Sequence, residues 1–198
     1  MRIGIALILG LLLTSCASEY KKIPVLSFYI NDKGVKEHYT IDYQDFINQE
    51  NKGVDSNILD HKVSTANFFF TNCPSICPPM RMRQMELADY FSEEKDFMQV
   101  SITIDPKRDT VNALKIYSKN TGVTPEKWQF LRGDSLRLKD LSKQLMTNFE
   151  PNENGTDFYH SSYLALIDKK KRIRGFYDIL KPIDVASLKE DIEVLLAE

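Results

Sequence analysis

An excess of charge of either sign is missing from this chain. Its 26 basic and 28 acidic residues leave a net charge of −2, which gives no electrostatic case for binding nucleic acid or an anionic membrane. Long apolar runs are missing too. The longest, residues 3–13, falls well short of the roughly 20 residues that a spanning helix needs. No internal repeat or low-complexity tract is visible, which excludes a repeat architecture. Cysteine and histidine are scarce, with three of each, so each can be weighed individually.

What is present is the composition of a soluble globular protein, 42% apolar and 27% charged. A length of 198 residues suits one domain plus a leader. Met1 and Arg2 make a minimal positive start, residues 3–13 an apolar core, and Leu13-Thr14-Ser15-Cys16 follows, as in a secretory signal. A small residue just before a cysteine is similar to a bacterial lipobox, which implies cleavage before Cys16 and a lipid on it. The alternative is an ordinary signal peptide with a stray cysteine. On the lipobox reading, residues 1–15 are signal peptide, 16–24 hold the lipidated Cys16 and a short linker, and 25–198 form the folded domain. That domain is expected in the cell envelope, lipid-anchored to a bacterial membrane and facing the periplasm, where disulfides persist. Cys73 and Cys77 are then the two remaining thiols.

The densest chemistry lies at Phe68-Phe69-Phe70-Thr71-Asn72-Cys73-Pro74-Ser75-Ile76-Cys77-Pro78-Pro79-Met80. The aromatic run reads as the end of a buried strand. Pro78 and Pro79 suit a first helical turn, where backbone N–H groups lack partners anyway. Met82, Met85, Leu87, Ala88 and Phe91 continue at helical spacing. Both thiols therefore sit where a strand hands over to a helix, and the helix N-terminus favours thiolate. Thiolates bind soft metals or attack disulfides. The C-x-x-x-C spacing is one residue longer than the redox C-x-x-C. It can close a disulfide or set both sulfurs on one side of an ion.

Along the rest of the chain, residues 25–30 and 35–41 flank Asn31-Asp32-Lys33-Gly34 as a β-hairpin. Residues 42–57 read as a short strand pair around Asn51-Lys52-Gly53. Strands are expected over 62–70, 96–104, 128–131, 162–168 and 172–178, and helices over 79–93, 110–120, 135–146 and 183–197. Asp109 is the expected N-cap of the second helix. Leu136, Leu138, Leu141 and Leu145 are expected on one face of the third, and Ile183, Leu188, Ile192 and Leu195 inward on the last. Residues 148–157 read as a loop, and Lys169-Lys170-Lys171 as a solvated turn. Alternating strands and helices imply an α/β sheet covered by helices. A strand, cysteine turn and helix at the front with a hairpin and helix at the back is the thioredoxin-like arrangement, here with an extra N-terminal β-hairpin.

His38 and His61 lie in polar turns and read as surface residues. His160 stands just before a strand, in the loop that a thioredoxin-like sheet turns toward the cysteines. Thioredoxins carry a cis-proline there; here the nearest upstream proline is Pro151. Two thiolates and an imidazole make a soft three-donor set that favours Cu(I) and permits Cu(II), whereas structural zinc usually takes a fourth ligand.

Phe70-Thr71-Asn72-Cys73-Pro74-Ser75-Ile76-Cys77-Pro78 resembles the F-x-T-x-C-P-x-x-C-P signature of the Sco/SenC family of copper-handling proteins. Ser101 to Thr110 is similar to its S-x-D-P-x-R-D-T block with an extra residue inserted. Trp128 to Gly133 is similar to its W-x-F-L-x-G stretch, with Arg132 where Thr is common. His160 and the strand after it resemble the block with the third copper ligand. The resemblance implies copper, as Cu(I) or Cu(II), bound by Cys73, Cys77 and His160, and a membrane-tethered chaperone that serves the CuA-bearing subunit of cytochrome c oxidase. Other copper carriers or thioredoxin-like reductants are further implied partners. A thiol–disulfide oxidoreductase, with a Cys73–Cys77 disulfide in its cycle, would use the same residues. A peroxidase, with Thr71 and Arg81 or Arg83 around Cys73, is the third reading.

Overall fold

The computed structural model describes residues 22–198 apart from 148, 152 and 154–157. Cys16, the expected signal peptide and most of the expected linker lie outside the described residues. In chain order the elements are β1 (Phe28–Ile30), β2 (Lys36–His38), β3 (Phe46–Asn48), β4 (Gly53–Val54), a 3-10 turn (Ser56–Leu59), β5 (Val63–Phe69), α1 (Cys77–Tyr90), β6 (Phe97–Thr103), α2 (Val111–Lys119), β7 (Trp128–Arg132), α3 (Ser135–Gln144), β8 (Phe149–Pro151), β9 (Phe158–His160), β10 (Tyr163–Ile167), β11 (Ile173–Asp178) and α4 (Pro182–Ala197). Among the described residues no helix is long and apolar enough to cross a membrane.

Seven strands form the central sheet in the order β11-β10-β5-β6-β7-β3-β4. β5, β6 and β7 run parallel, and β10 joins β5 antiparallel with Ala165 opposite Ala66. Every residue of β5 and β6 is buried, as expected for central parallel strands covered on both faces. Leu87 of α1 and Phe91 just after it cluster with Val63, Leu164 and Leu166 of the sheet and Leu188, Ile192 and Leu195 of α4. Leu114 of α2 and Leu138 and Leu141 of α3 join a larger cluster around Phe68, Phe69, Val100, Ile102 and Phe130. The β5-α1-β6 unit with the β10-β11-α4 unit beside it is the thioredoxin-like arrangement. The N-terminal hairpin is also present, but as a separate two-stranded sheet. Its turn works because Asn31 Oδ1 accepts from the backbone N–H groups of Lys33 and Val35 and Gly34 takes φ 73°.

Several local expectations change. Thr110, not Asp109, caps α2, its hydroxyl accepting from Ala113 N–H. Asp109 is buried instead. Residues 148–157 are not all loop: β8 pairs with β9, placing Phe149 opposite His160. Leu136 and Ile183 are exposed, each at the second position of its helix; Met82 on α1 is exposed as well, lying between the buried Met80 and Gln84 on the side of the helix away from the core. The lysine turn is only partly solvated, since Lys171 pairs with Asp60 at 2.6 Å and Lys169 donates to Leu196 O.

Candidate metal centre

β5 delivers the chain into the cysteine turn, and α1 starts at Cys77 itself, two residues earlier than the prolines indicate. Pro78 and Pro79 then fill the next two helical positions, where no N–H is needed. The α1 N-terminus has no side-chain cap. In its place the Cys77 N–H donates to Cys73 Sγ at 3.4 Å, so one sulfur satisfies a donor that helix geometry leaves open. Ser75 Oγ lies 3.9 Å from the same sulfur.

From the other side, β9 brings His160. Its Nε2 stands 3.1 Å from Cys77 Sγ and 3.8 Å from Cys73 Sγ. The ring lies edge-on to Phe70 at 5.7 Å. Nδ1 is 3.2 Å from Ser161 O. A carbonyl only accepts, so Nδ1 carries the proton and Nε2 presents its lone pair to the sulfurs. Cys73, Cys77 and His160 are the group of potential metal donors among the described residues, with donor atoms all within 4.8 Å of one another. Bonds of about 2.0–2.3 Å to one ion require donors at about this spacing, so the set fits a soft, low-coordinate cation. Both cysteines are free thiols in this structure, so the Cys73–Cys77 disulfide is not a feature of it.

The two thiols differ. Burial alone would raise Cys73, but hydrogen bonds from the Cys77 thiol and N–H and from Ser75 outweigh it and leave Cys73 below the ordinary thiol range. Burial pushes Cys77 far up, and the neighbouring Cys73 and the Asp109 carboxylate add to that.

Two supports of the turn were not legible as such in the sequence. Asp109 accepts from Thr71 N–H at 3.0 Å and from the hydroxyls of Thr71 and Thr103, pinning the start of the turn to the end of β6. Arg132 in turn donates to Asp109 O at 3.2 Å and Pro106 O at 2.9 Å, holding the 105–110 loop. Beneath Cys77, Gln84 of α1 donates to Asn67 of β5 at 3.0 Å, and Trp128 Nε1 donates to Ser101 Oγ, which donates to Asn67. Polar residues inside otherwise apolar strands are the sequence signal for such a network. His38 and His61 are exposed and outside the donor cluster. Of the arginines weighed for a peroxidase pocket, Arg83 pairs with Glu86 and Arg81 lies over the Tyr117 ring at 4.9 Å.

Similarity to known proteins agrees with this geometry. The SCO1/SenC family profile matches residues 32–197. The SCO2-like protein of Rickettsia typhi is 34% identical over 162 residues, which covers 78% of this chain and 75% of that protein. Among solved structures, a SCO1/SenC family lipoprotein from Bacillus anthracis aligns with a TM-score of 0.72 at 28% identity, covering 88% of this chain and 98% of that one. Arabidopsis thaliana ScoI with copper bound aligns with a TM-score of 0.67 at 26% identity, covering 81% and 98%.

Proposed function

The chain belongs to the SCO1/SenC family, and on that footing we propose that it is a membrane-tethered copper chaperone that delivers its cargo to the CuA centre of cytochrome c oxidase. The observation that carries this reading is the convergence of Cys73, Cys77 and His160. Two sulfurs suit Cu(I), and the imidazole lets the same set hold Cu(II). His160 is the half-exposed member while both cysteines are buried, so an acceptor's ligand approaches on the histidine side and takes the ion by ligand exchange. The Ser161 carbonyl fixes the imidazole tautomer that binds, and the α1 N-terminus favours the thiolate that remains when cargo leaves. Cys16 carries the lipid, and the domain faces the periplasm.

A second reading has its own observation, the opposite displacement of the two thiols. Cys73 is the readily ionised one and would attack a disulfide in the client. A mixed disulfide forms and one client thiolate leaves. Cys77 then loses its proton and displaces the second client thiolate, closing Cys73–Cys77. Two electrons pass to the client, and a thioredoxin-like reductant restores the dithiol.

The test is transfer. Full-length protein loaded anaerobically with Cu(I) is mixed with a reduced, metal-free CuA domain, and copper is followed by gel filtration and metal analysis. The proposal expects copper to move to the acceptor, and His160→Ala to retain and deliver less. Reduction of an oxidised CuA domain by His160→Ala, with no copper moved even by wild type, would favour the oxidoreductase.

A further inference from the structure

We infer that the hollow between the end of α3 and the β5-β10-β11 part of the sheet binds a small neutral hydroxyaromatic molecule, and that its occupancy is felt at His160. The cavity measures about 420 Å³, within the range of about 300–1,000 Å³ that small-ligand sites take. It exists because two alanines meet there. Ala66 of β5 stands opposite Ala165 of β10, and Ala165 stands opposite Phe176 of β11. Side chains alternate along a strand, so Phe68 and Tyr163, each two residues from an alanine, rise from the same face. Two methyl groups among three aromatic rings leave a depression, which Leu145 closes on the α3 side. The helix does not continue over it, because Met146 takes φ 50° and Thr147 N–H turns back to Ser142 O.

The chemistry of the lining selects the ligand. The described lining residues carry no charge, so an ion would lose its hydration without gaining a counter-charge. Phe68, Tyr163 and Phe176 favour an aromatic body, and releasing water from the apolar floor adds to that. Polar anchoring comes from Thr147 and Ser161, whose hydroxyls stand 3.3 Å apart. One hydrogen bond between them leaves each with unused capacity, enough for a single ligand hydroxyl. Asn67, which also lines the cavity, spends its side chain on Phe68 O, Gln84 and Ser101. Met146 and Tyr163, 47% and 43% exposed, mark the solvent side, and the flexible methionine lets a ring pass. Ser161 joins the cavity to the metal centre, because its carbonyl holds His160 Nδ1 at 3.2 Å. A ligand bonded to the Ser161 hydroxyl restrains the residue that fixes the imidazole, so occupancy and copper retention favour each other, and the coupling is reciprocal. That coupling rests on the copper reading proposed above; the ligand site does not.

The test titrates the full-length, metal-free chain, isotope-labelled at its alanine methyl groups, with p-cresol at neutral pH. The Ala66 and Ala165 methyl resonances should shift together and saturate, whereas p-toluate, the same ring with a carboxylate, should leave them in place. Ala165→Leu, which fills the hollow, should weaken binding at least about tenfold. Thr147→Val, which keeps the shape and removes one hydroxyl, should weaken it about fivefold, the size of one neutral hydrogen bond. In the Cu(I)-loaded chain, saturating p-cresol should slow loss of copper to a chelator about fivefold. No saturable shift of the two methyls, or equal binding of p-toluate, overturns the ligand site. Tighter binding of N-acetyltyrosinamide than of p-cresol assigns the cavity to a tyrosine of a protein partner and also overturns it. Saturable binding with copper retention unchanged overturns the coupling alone. A chain that holds no copper removes the copper reading and the coupling with it, while the metal-free titration still decides the ligand site.

Discussion

Replacing Asp109 with alanine should loosen the metal centre without touching a ligand. The carboxylate is only 1% exposed and accepts three hydrogen bonds, from Thr71 N–H, Thr71 O–H and Thr103 O–H. A bond to a charged acceptor contributes about 1.5–3 kcal/mol, and a buried donor left without a partner costs about 1–3 kcal/mol. The bonds share one acceptor and do not add. The expected loss is therefore about 3–4 kcal/mol, a large part of a total stability of about 5–15 kcal/mol. Asp109→Asn keeps an oxygen for Thr71 N–H and should lose about half as much. Urea unfolding followed by Trp128 fluorescence reads the stability, and competition with a Cu(I) chelator reads the site, where about tenfold weaker retention is expected, equivalent to about 1.4 kcal/mol. Thr71→Val combined with Asp109→Ala should be strongly non-additive. Stability within about 1 kcal/mol of wild type, or strict additivity of the two substitutions, would refute the pinning of the turn by Asp109.

Iodoacetamide at mildly alkaline pH should modify Cys73 before Cys77, because thiolate is the reactive form and hydrogen bonds lower Cys73 while burial raises Cys77; peptide mass spectrometry showing the reverse order would contradict this. Asp168 is raised by burial but held low overall by hydrogen bonds from Arg172 and Arg174. Its contribution is complete above the unfolded carboxylate value of about 3.9 and is lost as pH falls through its lower folded value. Acid titration followed by circular dichroism should therefore show Arg174→Met, which leaves Asp168 and Glu198 short of a partner and costs about 3–5 kcal/mol, unfolding at higher pH than wild type. Gly133→Ala would set a Cβ 2.7 Å from the Phe46 ring, and because Phe46 is fully buried the urea midpoint should fall by the equivalent of about 1–3 kcal/mol.

The fold was largely legible in the sequence because its central strands are rich in β-branched and aromatic residues and its turns carry Asn, Gly and Pro at the positions where the backbone bends. The three donors were legible because cysteine and histidine are rare and only His160 follows a loop that the topology turns toward the cysteines. Exposure of individual residues was not. Leu136 and Ile183 fit a helical period, but the period does not say where a helix first meets its sheet, and Met82, between the buried Met80 and Gln84, sits on the side of α1 that faces away from the core. The β8–β9 pair was hidden because Asn152 to Asp157 is rich in turn formers, and polar composition outweighs three-residue strands in any window. Asp109 reads locally as a helix cap; its real partners, Thr71 and Thr103, come from two other segments, and no local pattern reports them.

Coordination of bound copper tests the central claim most directly. X-ray absorption at the copper edge, on full-length protein loaded with one equivalent of Cu(I) under anaerobic conditions, should show two sulfur neighbours and one imidazole nitrogen. His160→Ala should remove the imidazole scattering, and Cys73→Ser and Cys77→Ser one sulfur each. A wild-type spectrum without imidazole, or unchanged by His160→Ala, would contradict the three-donor centre.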